Sequence, residues 1–265
     1  MSAHPCRSIA LNSALEVLVY QNSKDASASA AARIASLIRS KPSATLGLAT
    51  GSTPIAVYRE LVRMHRLEGL SFSNITSYNL DEYYPISPLN DQSYRWFMHQ
   101  NLFQHIDIPA NQAHVLDGTV PAHAASEHAD QFDRWIEQAG GLDLQLLGIG
   151  RNGHIGFNEP FEASLIDACD LPTRLIELHP VTIADAAPAF HGSQNVPTHA
   201  LTVGTRQILK ARQILILAFG KNKADAVAAS LQGLAESEVP ASLLQTVADR
   251  VVWFLDEDSA AGLKV

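Results

Sequence analysis

Short apolar runs of strand length alternate along this chain with longer stretches in which apolar residues recur at helical spacing. Runs rich in Leu, Ile or Val at 44–49, 75–80, 142–149, 213–219 and 250–255 predict strands. Between them, Ile55, Tyr58, Leu61 and Val62 recur at helical intervals after Pro54, a residue suited to a first helical turn because its missing N–H would have no partner there. Helices are also predicted at 26–38, 122–138 and 222–231, and Gly51, Gly150, Gly153 and Gly220 punctuate the strand ends. This alternation predicts an α/β fold: a doubly wound, mostly parallel sheet with helices on both faces, Rossmann-like in its layers. With no internal repeat, low-complexity tract or long linker, a single domain is expected over residues 1–265. The segment 161–197 is the least regular, with prolines at 172, 180, 188 and 197, and is expected to form either a mobile lid or a long surface excursion.

Composition narrows the function classes. Hydrophobic residues make up 46% of the chain and charged residues 17%, enough apolar material for a large buried sheet and too much for a disordered protein. The net charge of −8 opposes general binding to a phosphate backbone, so no nucleic-acid partner is expected. A small anion can still be held where backbone N–H groups and one or two cations converge. The two cysteines, Cys6 and Cys169, lie far apart without framework spacing and predict reduced thiols. Residues 1–20 carry one Arg and no sustained apolar region, and runs such as 214–219 are too short to span a bilayer. A cytoplasmic protein without membrane association is therefore expected.

Four polar clusters begin where predicted strands stop: Thr50-Gly51-Ser52-Thr53, Asp81-Glu82-Tyr83, Asn152-Gly153-His154 with Asn158-Glu159, and Lys221-Asn222-Lys223. In open parallel sheets ligands bind beyond the carboxyl ends of the strands, so these clusters are expected to converge on one crevice. The first reads as an anion cradle, since Gly51 permits close backbone approach and Ser52 and Thr53 add hydroxyls near a helix N-terminus. Alone it would read as a helix cap, and Lys223 alone as a solvated charge; together they are expected to supply the two halves of an anion site. Asp81 and Glu82 follow an apolar strand, where a carboxylate is shielded from water and its pKa rises, as suits a proton shuttle. His154 precedes Glu159 by a spacing that lets the carboxylate fix the imidazole tautomer across a turn. No metal-ligand spacing, dinucleotide fingerprint or cofactor lysine is evident, so neither metal nor cofactor is expected.

The segment DLQLLGIGRNGHIGFNEP at 143–160 resembles the signature of the glucosamine-6-phosphate deaminases, sugar-phosphate isomerases that release ammonia. LGLATGSTP at 46–54, SYNLDEYYPI at 77–86, SYRWFMHQNLF at 93–103 and NVPTHALTVGT at 195–205 resemble that family in the same order, so the likeness covers roughly residues 30–255. The related 6-phosphogluconolactonases share the fold and a similar Gly-rich segment, but here His154 is followed by the deaminase continuation Ile-Gly-Phe-Asn-Glu-Pro.

The resemblance implies a hexosamine 6-phosphate substrate, with Asp81 as the proton-transferring carboxylate, His154 as the ring-opening acid/base and Glu159 as the group orienting it. Asn152 stands where some members carry Asp, which implies a tuned ring-opening relay. Thr50, Gly51, Ser52, Thr53 and Lys223 match the phosphate site. The family's arginine before a Phe falls here at Pro188, so Arg174, Arg206 or another cation is expected to replace it. The segments associated with control by an acetylated sugar phosphate are replaced by Phe161-Glu162 and Arg174-Leu175-Ile176, which implies no such control. Four readings stay open at this level: deamination of glucosamine 6-phosphate to fructose 6-phosphate, the same reaction on galactosamine 6-phosphate to give tagatose 6-phosphate, lactone hydrolysis, and a silent sugar-phosphate sensor. The resemblance allows a monomer or a homo-oligomer.

Overall fold

The computed structural model describes residues 4–10 and 15–264; residues 1–3 and 11–14 of the N-terminal stretch considered above lie outside it. The first half of the chain forms β1 (Arg7–Ala10), β2 (Glu16–Tyr20), α1 (Ser23–Ser40), β3 (Thr45–Leu48), α2 (Ile55–Glu68), β4 (Thr76–Asn79), β5 (Asp81–Tyr84), α3 (Tyr94–Asn101), β6 (Ala113–His114) and α4 (Ala125–Gln138). The second half forms β7 (Leu144–Gly148), α5 (Leu165–Cys169), β8 (Arg174–Glu177), α6 (Pro180–Ala186), β9 (His199–Thr202), α7 (Thr205–Lys210), β10 (Ile214–Ala218), α8 (Ala224–Gln232) and β11 (Val251–Asp256).

Eight strands join in the order β1-β2-β11-β10-β7-β3-β4-β6. All neighbours in this sheet run parallel except β1 and β2. The inner strands show why their sequences are apolar without alternation. On β7, Leu144 and Leu146 pack on one face with α1 and α2, whereas Leu147 packs on the other with Phe132 and Ile136 of α4. On β10, Leu215 and Leu217 join the first layer and Ile214 and Ile216 the second. Period-two side chains thus bury both ways, which requires helices on both faces. The doubly wound architecture read from the sequence is the one observed.

Chain direction across the sheet reverses between β3 and β7. From β3 the path runs outward through β4 to β6; from β7 it runs the opposite way through β10 to β11. The loops leaving the carboxyl ends of β3 and β7 therefore part from one another and leave a crevice between them.

A second sheet, unanticipated from the sequence, holds β5, β9 and β8 in that order, all antiparallel. It grows directly out of the first. The Leu80 N–H donates to Leu48 O in the main sheet at 3.0 Å, and its carbonyl accepts the Val203 N–H beside β9 at 2.6 Å. This small sheet has its own apolar layer of Tyr83, Phe157, Leu178, Phe190 and Ala200. The segment 161–197 is more regular than its prolines suggest: it contains α5, β8 and α6, and β8 is an edge of the second sheet. Among the described residues no helix is long and apolar enough to cross a membrane.

Candidate active site

The four polar clusters meet in one cleft over the crevice. Thr50–Thr53 after β3, Asp81 after β4, Gly150 and His154 after β7, and Lys223 after β10 all line it.

The Thr50–Thr53 turn enters α2 through Pro54, whose position as N-cap carries no side-chain capping bond. The hydroxyls of Ser52 and Thr53 are thus not consumed as caps of α2. Thr50 reaches the other way, its Oγ1 lying 3.5 Å from Asp81 Oδ1.

Asp81 opens β5 and is fixed by main-chain pairing to Thr202. It is only 5% exposed. Burial pushes its carboxyl up to about 8, the neighbouring Glu82 charge adds to the rise, and the Thr50 hydroxyl pulls against both. Gly156 permits the floor to approach: its φ is +59°, and a Cβ there would stand 3.5 Å from Asp81 Oδ2 and 3.2 Å from Thr202 Oγ1.

Glu82 does not share this role. Successive strand residues face opposite ways, and Glu82 turns to the N-terminus of α3. It accepts from Ser93 Oγ at 2.7 Å, Tyr94 N at 2.8 Å, and Arg95 N and Tyr83 N at 3.0 Å. These bonds satisfy otherwise orphaned helix donors. The carboxylate pair read from the sequence is therefore split into one group on the cleft and one that anchors α3.

His154 lies over Gly150, where an added Cβ would come within 2.4 Å of the imidazole. His154 Nδ1 faces Glu159 Oε2 at 3.2 Å. Asn152 Nδ2 donates to the same oxygen at 2.9 Å, and Asn152 Oδ1 accepts the His154 N–H at 3.3 Å. Thr182 Oγ1 donates to Glu159 Oε1 at 2.5 Å and stands 3.5 Å from His154 Nδ1. Burial opposes ionisation of Glu159, but the His154 bond and charge, aided by Thr182 and Asn152, hold its carboxyl down at about 2. A carboxylate ionised over the whole physiological range favours the tautomer with the proton on Nδ1.

Lys223 also lines the cleft. Burial lowers the pKa of its amine, the Asp185 charge opposes that shift, and Arg151 adds to it. Neither suggested substitute for the family arginine lies here. Arg174 donates to Asn158 Oδ1 at 2.9 Å and to Pro172 O at 3.3 Å, with burial lowering it to about 10. Arg206 pairs with Asp170 at 2.7 Å on the surface. Among the described residues no group of His, Cys, Asp and Glu has the arrangement of a metal centre.

Sequence reasoning missed several lining residues: Tyr94 from α3, Phe157, and Thr182 and Asp185 from α6. Tyr94 and Phe157 fell within segments whose resemblance was noted, yet their rings gave no separate signal. Thr182 and Asp185 lie on a short helix in the irregular segment, and only the tertiary fold brings them to the cleft.

The family model for glucosamine-6-phosphate isomerases/6-phosphogluconolactonase matches residues 21–253. The chain belongs to that family. Within the family its relatives include the glucosamine-6-phosphate deaminase of Halothermothrix orenii, 41% identical over 93% of this chain and 99% of that protein. Glucosamine-6-phosphate deaminase 2 of Giardia intestinalis is 45% identical, over 92% of this chain and 90% of that one. A solved structure described as a monomeric glucosamine-6-phosphate deaminase superposes with a TM-score of 0.88 at 38% identity, covering 93% of this chain and 99% of that one. The 6-phosphogluconolactonase of Trypanosoma brucei superposes at 0.73 with 20% identity over 94% of this chain and 98% of that one, a likeness of fold alone.

Proposed function

We propose that the protein is an aldose-ketose isomerase that converts glucosamine 6-phosphate and water to fructose 6-phosphate and ammonium. The observation that carries this reading is the opening of the buried Asp81 carboxyl and the Glu159-held His154 onto one cleft, beside the Thr50–Thr53 turn and Lys223. The relatives named above carry that activity, which favours it over lactone hydrolysis.

In this reading the phosphate sits against Thr50–Thr53 and Lys223, and its binding energy holds the sugar in place. His154 Nε2 takes the proton from O1 and returns it to the ring oxygen, opening the pyranose, while Glu159 steadies the imidazolium. Asp81 then removes the C2 proton while O1 takes up a proton, forming a cis-enolamine, and returns a proton at C1 as the amine gives one up. Water adds to the resulting C2 imine and nitrogen leaves as ammonium, giving the ketose. A carboxyl near 8 suits both halves of Asp81's task, being basic enough to accept the C2 proton and acidic enough to hand it to C1. Residues 161–197 serve as the lid in this scheme, a reading supported by Thr182 and Asp185 of α6 lining the cleft. The free Cys6 and Cys169 suit a reducing compartment and so the cytoplasm.

Parallel incubations with glucosamine 6-phosphate and galactosamine 6-phosphate, with ammonium and ketose 6-phosphate measured together, test the reading. Equimolar ammonium and fructose 6-phosphate from the glucosamine epimer are expected. Ligand binding with no ammonium from either epimer would make the chain a sensor, and tagatose 6-phosphate as the main product would move it to the other epimer.

A further inference from the structure

The cleft that holds the phosphate turn also carries a group that an anion avoids: Asp185 of α6 lines it together with Thr53 and Lys223. A carboxylate facing a bound phosphate repels it unless a cation lies within reach of both. The neighbouring cation is Arg151, which follows the lining residue Gly150 but does not itself line the cleft. Its Nε donates to Asp185 Oδ2 at 2.9 Å, and its Nη2 donates to Asp185 Oδ1. Both side chains keep nearly half their surface open, 45% for Arg151 and 44% for Asp185. The Lys223 amine feels both charges, the carboxylate opposing and the guanidinium adding to the lowering of its pKa by burial.

Resting on the reading of this cleft as a sugar-phosphate site, we propose that Arg151 is the second phosphate-binding cation, held at the rim by Asp185 and transferred to the phosphate when ligand enters. A guanidinium has five donors in a fixed fork, and Asp185 engages it through only two nitrogens. A phosphate dianion carries more charge than a carboxylate and matches the same fork. Pro188, just beyond α6, offers neither donor nor charge, so in this chain the helix side of the cleft brings an acid and the histidine loop brings the base. Arg151 immediately precedes Asn152-Gly153-His154, so a phosphate contact there bears on the loop that carries the ring-opening imidazole.

Calorimetric titration of inorganic phosphate into the parent, Arg151→Gln and Asp185→Asn tests this without requiring turnover. Arg151→Gln should weaken phosphate binding by roughly tenfold or more, the loss of one charge-assisted contact, and raise KM for glucosamine 6-phosphate more than it lowers kcat. Asp185→Asn should bind phosphate as tightly as the parent or more tightly, having lost a competitor and a repulsive charge. Unchanged affinity in Arg151→Gln, or weakening in both variants, would make the pair a strap between α6 and the histidine loop and would overturn the proposal. A parent that binds phosphate but releases no ammonium would instead overturn the deaminase reading and leave the role of Arg151 standing.

Discussion

At the scale of single residues, the decisive feature is an acid whose ordinary behaviour has been inverted by its surroundings. Replacing Asp81 by Asn should cut turnover by about 10²–10⁴-fold and abolish exchange of the C2 proton with solvent, while phosphate affinity is retained; persistent exchange in deuterated buffer would remove Asp81 from its role. The raised carboxyl also predicts a pH-dependent stability. Its folded value is about 8, against about 3.9 for an unfolded aspartate. Below pH ~4 both states hold the proton and burial costs nothing extra. Between the two values only the native state holds it, so raising the pH weakens the fold, and above pH ~8 the full penalty applies. Thermal melts of Asp81→Asn should therefore show an advantage over the parent that widens from pH 4 to pH 8, and a constant gap would contradict the inverted acid. Asp81 was legible in the sequence because it directly follows the predicted strand at 75–80. The separate fate of Glu82 was not, since two adjacent carboxylates point apart only once the segment is known to be extended.

At the scale of elements, short pieces of structure aim the reactive groups. Helix α3 rests on Glu82, which receives two of its first amides and the Ser93 hydroxyl. Glu82→Ala strands those donors in a buried place and should cost about 3 kcal/mol or more, read from urea denaturation; a cost below about 1 kcal/mol would mean that the anchor is idle. Helix α6 contributes Thr182, whose hydroxyl donates to Glu159 beside the cleft. Thr182→Val should lower kcat by roughly ten- to a hundredfold with little change in KM, and Thr182→Ser should restore most of it because the hydroxyl is what Glu159 accepts; equal damage from both changes would point to packing instead. Legibility differed sharply between elements. The inner strands announced themselves because Leu144, Leu146 and Leu147 are all buried, one face or the other. Strands β5, β8 and β9 have four residues each, with charged or polar ends, and gain their definition from partners distant in the chain. No local periodicity of that length distinguishes them from loop.

At the scale of the whole molecule, the fold gathers loops that lie far apart in sequence by reversing its direction between β3 and β7. The convergence of residues 50–53, 81, 154 and 223 followed from the general rule for open parallel sheets and needed no knowledge of the second sheet. The contribution of α6 did need it, because the segment 161–197 joins that sheet through β8 while lending α6 to the cleft. Hydrogen exchange should slow across α6 and the residues after it when fructose 6-phosphate is added, with β7 and β10 unaffected; an equal response in α6 and in the central strands would argue against a lid.

One stretch of backbone belongs to both sheets, since the amide of Leu80 is spent on one ladder and its carbonyl on the other. The carboxylate that follows it consequently has no pivot beside it and cannot swing to meet different sugars. Adaptation to a new epimer must be worked from the facing side, by exchanging side chains on the short helix and its neighbours, while the acid at the seam stays where two ladders have soldered it.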